Sequence, residues 1–142
     1  MRLRSCMAAQ GLESFLEPGL QALGAYSSRI ALARGSRPIE SIDLDAALAR
    51  SHGQDPRWDY GIGLAIDSVP HTAWVEVHPA SSSEVKPFLA KLAWLKRRLA
   101  FEACRGPKSF HWIATSGVSI DSSKRRLLAS AGIRMPRQRL DL

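Results

Sequence analysis

A chain of 142 residues, 45% hydrophobic and 23% charged, fills one domain and can bury a core without disulfide staples. It has no run of the roughly eighteen apolar residues that a membrane-spanning helix requires, so no membrane partner is expected. The net charge of +7 is unevenly spread: residues 1–80 hold seven arginines against nine acids, a balance of −2, while residues 81–142 hold thirteen lysines and arginines against four acids, a balance of +9; such a split suits a polyanion such as nucleic acid, with a solvated basic surface as the plainer reading.

In chain order, "MRLRSCMAAQ" carries two arginines with no apolar stretch behind them, so no secretory leader is expected and the protein is read as cytoplasmic. Cys6 and Cys104 are too few and too far apart for a zinc knuckle or a disulfide framework. Both read as free thiols, with Cys104 packed on a helix. The first helix is expected over 19–35, "GLQALGAYSSRIALARG", with Leu20, Leu23, Ile30 and Leu32 apolar, Pro18 ahead and Gly35 as the stop. The stretch "PIESIDL" (38–44) reads as a short strand, or Asp43 caps a helix through Leu48 and Ala49. "GQDPR" (53–57) is a loop.

The period then changes to two. Over 59–67, Tyr60, Ile62, Leu64 and Ile66 alternate with Asp59, Gly61, Gly63, Ala65 and Asp67. This predicts a strand with one hydrophobic face and one small or acidic face, the glycines leaving room for close approach. "SVPH" is turn material. Over 71–78, Ala73, Val75 and Val77 oppose Thr72, Trp74, Glu76 and His78, and the two strands should form an antiparallel hairpin. Ser81 and Glu84 have capping-box spacing, but Pro87 moves the helix start to Ser83 or later. Val85, Phe88, Leu89, Leu92, Leu95 and Leu99 make its apolar stripe, while Lys86, Lys91, Lys96, Arg97 and Arg98 lie mainly elsewhere around the cylinder. "RGPK" ends it, "SFHWIATSG" is a further strand, Asp121 caps a last helix stopped by Gly132, and the basic tail "IRMPRQRLDL" is extended. The whole is a single α/β domain around a mixed sheet, with a basic C-terminal helix and tail over 117–142.

This element order, with an acid opening one strand and an acid-x-base triplet on the next, resembles the PD-(D/E)xK nuclease-like (restriction-endonuclease-like) superfamily. Residues 19–116 would cover its α-β-β-β-α-β core. In that pattern an Asp and a (D/E)-x-K hold a divalent metal. "PRWDYGIG" supplies Asp59 and "WVEVH" supplies Glu76, with His78 standing where the family has lysine. The resemblance implies a Mg²⁺-dependent endonuclease acting on DNA or RNA phosphodiesters, with Asp59 and Glu76 on the metal and His78 as base or extra ligand. Lys86 or Lys91 could supply the missing cation from the following helix.

The chemistry suits those residue types. A hard cation takes carboxylate oxygens, waters and a substrate phosphate, and fixed cations offset the charge that builds up on phosphorus. Lys96, Arg97, Arg98, Lys124, Arg125 and Arg126 are candidate phosphate contacts. "EVK" at 84–86 is a second acid-x-lysine string, read as a decoy at a helix start.

Each candidate also has a plainer role. Asp59 can cap a turn, Glu76 can pair with Arg57, His78 can bond the turn before Pro79, and Asp67 is a turn residue. Asp43 and Asp45 either join the acidic cluster or cap a helix. The four tryptophans read as packing, with base stacking as the alternative, and His111 reads as structural. Without catalysis, the same fold would be a module binding nucleic acid or protein, or an interaction protein with salt-bridged acids; its oligomeric state, a homodimer included, is open. No nucleophile elbow, P-loop or dinucleotide fingerprint is present.

Overall fold

In the computed structural model, which describes residues 2–142, the chain order is α1 (Leu3–Ala9), β1 (Glu17–Pro18), β2 (Ile30–Ala31), β3 (Ser36–Asp43), α2 (Leu44–Leu48), β4 (Tyr60–Ile66), β5 (Val69–Ser81), α3 (Val85–Arg98), β6 (Lys108–Ser119), α4 (Ser122–Ser130) and β7 (Leu140–Asp141). The main sheet runs β1-β3-β4-β5-β6. Its first three pairings are antiparallel and β5–β6 is parallel. A parallel pair cannot be joined by a tight turn, and α3 is the crossover. The fold is thus mixed α/β, a five-stranded mixed sheet flanked by helices. No helix among the described residues is long and apolar enough to cross a membrane.

The β4–β5 hairpin forms as its alternation requires, with Ile66 opposite Val69. The turn is tighter than expected: Asp67 and Ser68 alone make it, both at positive φ (49° and 67°), the conformation that two-residue hairpins demand. Val69 and Pro70, expected in the turn, open β5 instead. Gly35, at φ +87°, packs against the Asp67 carboxylate where a Cβ would collide with it.

The sheet buries both faces. Ile62, Leu64, Ala73, Val75 and Ile113 pack with Leu23 and Ile30 on one side. Trp58, Trp74, Trp94 and Trp112 pack on the other with residues of all four helices. The room left by Gly61 is taken by Trp74, whose ring lies 2.5 Å from where a Cβ would stand. Gly63 is covered by Leu3 of α1, 3.1 Å from its Cβ position. The α3 stripe is buried as its spacing predicts, at Val85, Phe88, Leu92 and Leu95. Each such side chain contributes roughly 1.5–3 kcal/mol.

Three expectations are corrected. The helix expected over 19–35 is a 3₁₀ segment, Gln21–Arg29, broken at Gly24 (φ 55°, ψ −128°), and it gives way to β2. Glycine is the residue that reaches that backbone region at low cost. The leading α-helix is α1, upstream of the expected core. Ser81 makes no side-chain cap: its hydroxyl meets Ser83 Oγ at 3.1 Å, and Glu84 turns to His78. Cys6 and Cys104 are not free: they form a disulfide across 98 residues, joining α1 to the short 3₁₀ turn Glu102–Cys104. Distance along the chain says nothing about distance in space once α1 lies beside that turn.

The stretch 38–44 satisfies both of its readings. It ends β3, and the Asp43 carboxylate accepts the Ala46 N–H at 2.9 Å to cap α2. Asp121 caps α4 through the Lys124 N–H in the same way.

Candidate functional site

Register brings the two predicted carboxylates together. Tyr60 stands opposite Val75, so Asp59, one residue before β4, faces Glu76. Trp58 anchors that entry: it is fully buried, donates its indole N–H to the Tyr60 carbonyl at 3.1 Å and packs on Phe88 with ring centroids 5.5 Å apart. From the other side the Leu44 N–H donates to the Asp59 carbonyl at 2.7 Å.

The carboxylates are held reciprocally. The Asp59 N–H donates to Glu76 Oε1 at 3.0 Å, and the Val77 N–H donates to Asp59 Oδ2 at 2.9 Å. Each acid is therefore fixed by the other strand's backbone. Lys91, one of the two lysines of α3 proposed to replace the motif lysine, donates to Glu76 Oε2 at 2.5 Å. Lys86 is exposed on the first turn of α3. His78 Nδ1 lies 4.0 Å from the same Oε2, while its Nε2 meets Glu84 Oε2 at 2.6 Å. The Glu76 side chain is 0% exposed and those of Lys91 and His78 are 23% and 24% exposed. The arrangement is a buried acid on the floor with a partly open lysine and imidazole above it.

Electrostatics follow from this burial. Removal from water, and then the neighbouring Asp59, push Glu76 up to about 8, against the pull of Lys91 and of the Asp59 N–H. Burial also raises Asp59, with Asp45 and Asp43 adding to it, while the Val77 N–H and Lys91 oppose. Burial works against charge on Lys91, but pairing with Glu76 and the field of Asp59 more than offset it and raise its pKa. Tyr60 beside them is pushed to about 12, by burial and then by Asp43 and Asp59. Two acids and one ammonium thus share one buried cluster.

Mg²⁺ keeps several waters and is often held by only one or two carboxylates. Among the described residues no group of three or more His, Cys, Asp or Glu side chains is placed to hold a metal. Asp59 and Glu76 supply two carboxylates, both with pKa values raised chiefly by burial. That donor set fits a single hydrated cation completed by a phosphate, and does not fit an all-protein cage.

The remaining candidates are dispersed. Arg57, a possible partner for Glu76, pairs with Asp45 at 2.9 Å. Lys96 sits over the Phe110 ring, 5.3 Å from its centroid. Arg97 is exposed. Arg98 turns inward over Trp94, 5.4 Å from the ring centroid, with His52 at 3.4 Å. Lys124, Arg125 and Arg126 lie on α4, where Arg125 Nε donates to the Ile120 carbonyl at 2.9 Å. All four tryptophans are buried, which leaves them packing roles. His111 bonds Ser109 at 2.6 Å, and burial, then His71 and Arg134, depress it to about 4, in keeping with a structural part.

Glu84 is the residue that sequence reasoning set aside. Its signal was the acid six residues beyond His78, brought back where β5 ends at Ser81 and the 3₁₀ segment Ser82–Glu84 follows. The sequence matches no family model, and no curated protein or solved structure matches it.

Proposed function

We propose that this chain is a Mg²⁺-dependent, endonuclease-like protein that hydrolyses nucleic-acid phosphodiesters on a restriction-endonuclease-like plan. The observation that carries the reading is the convergence of Asp59, Glu76 and Lys91: two acids from adjacent strands and a lysine on one of their oxygens. The topology supports it too, an antiparallel β3-β4-β5 meander followed by α3 and a parallel β6. Lysine arrives from α3, which accounts for histidine standing at position 78.

Asp59 and Glu76 would hold the cation, and Mg²⁺ so bound would supply Lewis acidity and a water of lowered pKa. Lys91 Nζ is placed to orient a nucleophile beside Glu76 and to offset charge developing on the phosphate. His78, aligned by Glu84 through Nε2, presents Nδ1 toward Glu76 and can pass a proton outward. The basic second half of the chain, Lys96, Arg97, Lys124, Arg125 and Arg126 included, would hold the phosphate backbone.

A second reading has its own support. Lys91 already neutralises Glu76, so the same fold can bind nucleic acid or a protein partner without cutting. Plasmid nicking separates the two. The wild type should convert supercoiled to open-circular plasmid with Mg²⁺ and not with EDTA. Glu76→Gln, Asp59→Asn and Lys91→Ala should each slow this by about 100-fold or more while oligonucleotide binding persists. Absence of metal-dependent nicking by the wild type, or undiminished nicking by Glu76→Gln, would eliminate the enzyme and leave the binding module.

A further inference from the structure

The tail over 133–142 is pinned along its backbone. Ile133 and Pro136 are buried. The Ala114 N–H donates to the Arg137 carbonyl at 2.9 Å, and Arg29 ties the Gln138 carbonyl (3.2 Å) to that of Ala114 (3.0 Å). Beyond it β7 pairs in parallel with β2, and the Leu142 N–H reaches the Ala31 carbonyl at 2.8 Å. The side chains of Arg134, Arg137 and Arg139 remain exposed.

Those three arginines line one hollow of about 100 Å³ with Phe110, Trp112 and Met135. Lys96 of α3, over the Phe110 ring, adds a fourth cation beside it. Of the four only Arg137 approaches a carboxylate, Asp141 at 3.8 Å, and both of those side chains are well exposed. Arg4, by contrast, pairs with Glu13 and Glu40, and Arg57 with Asp45. The hollow thus keeps an excess of positive charge around an apolar floor. It also adjoins the acids: Trp112 stands opposite Glu76 in the β5–β6 register and donates its indole N–H to the His78 carbonyl at 3.1 Å.

We infer that this hollow is the track on which a single strand of nucleic acid is held. Arg134, Arg137, Arg139 and Lys96 contact phosphates, and Phe110 and Met135 receive bases. Charge complementarity selects a polyanion. The apolar floor between the cations selects unpaired bases, which stack on such surfaces with little sequence preference. Because the tail backbone is already fixed, binding orders only side chains, which lowers its entropic cost. The inference deepens the proposed function by naming its substrate as single-stranded. It rests on that reading only for what happens at the acids.

The test is therefore made without metal. Anisotropy of a fluorescein-labelled thymidine homo-oligonucleotide is titrated in EDTA across a salt series. Three proteins are compared: wild type, Arg134→Gln/Arg137→Gln/Arg139→Gln, and a control of equal charge, Arg34→Gln/Arg37→Gln/Arg50→Gln, whose positions are exposed in the other half of the chain. The tail variant should bind about 10-fold more weakly or worse, with a log K against log[salt] slope shallower by about 2, as loss of three single-strand phosphate contacts implies. The control should stay close to wild type. Equal losses in both variants, no loss in the tail variant, or a matched duplex binding as tightly as the single strand would each overturn the inference. A wild type that binds in this way but never nicks plasmid leaves the track intact and removes only the catalytic reading.

Discussion

The two faces of the sheet are built differently. One carries all four tryptophans, residues from all four helices and the Cys6–Cys104 bridge. The other is a small aliphatic patch of Leu23, Ile30, Ile62, Leu64, Ala73, Val75 and Ile113, roofed by a 3₁₀ segment and the tail strand. Glu76 shares its side of β5 with Trp74, so the charged site grows out of the thick, helix-covered face. α3 both buries Phe88 and Leu92 there and delivers Lys91. The layer that gives rigidity also positions Glu76 and Lys91, while the thin face anchors a tail that displays charge.

The largest expected effect strikes the thick face through its staple. Reduction, or Cys6→Ser with Cys104→Ser, should cost about 4.7 kcal/mol, the value for a loop near 100 residues, read from urea unfolding with and without reductant. Phe88→Ala removes a ring stacked on Trp112, with centroids 4.5 Å apart, and should cost about 3–5 kcal/mol. A loss below about 1 kcal/mol there would show that the aromatic layer is not the seat of stability. Third is a pH effect at the junction of layer and site. Glu76 has its pKa raised from 4.5 to about 8, so the folded state holds its proton more tightly than the unfolded state. Its contribution is complete below about pH 4.5, falls as pH rises toward 8, and is then constant. Asp59 acts in the same direction. His111, depressed to about 4, acts oppositely at the acid end, so the informative quantity is the difference between wild type and Glu76→Gln. In unfolding titrations the variant should gain on the wild type between pH 5 and 8. The smallest effect belongs to the thin face, where Ile62→Val should cost about 0.5–1.5 kcal/mol; a cost rivalling Phe88→Ala would erase the distinction between faces.

Local patterns carried a large part of the architecture. The period-two stretches at 59–67 and 71–78 foretold the hairpin and its faces, because a pleated strand must send alternate side chains to opposite sides. The stripe from Val85 to Leu95 foretold α3, and Asp43 and Asp121 foretold two helix caps. The helix expected at 19–35 failed because Gly24 takes a backbone conformation that its apolar spacing does not reveal. At the site, Asp59 and Glu76 were readable as a pair, since one hairpin register relates them. Glu84 was not, because its partner lies across a turn that spacing describes as a cap.

What sequence alone determined, then, was whatever depends on neighbours within a few residues: strand faces, the helix stripe, caps, and the division of charge between halves. Tertiary structure alone decided that Cys6 meets Cys104, that Lys91 and not Arg57 reaches Glu76, and that the tail arginines gather beside Phe110. Those are contacts between segments far apart in the chain. They depend on how buried surfaces pack and on where unpaired charge finds a partner, and neither is written in any local period.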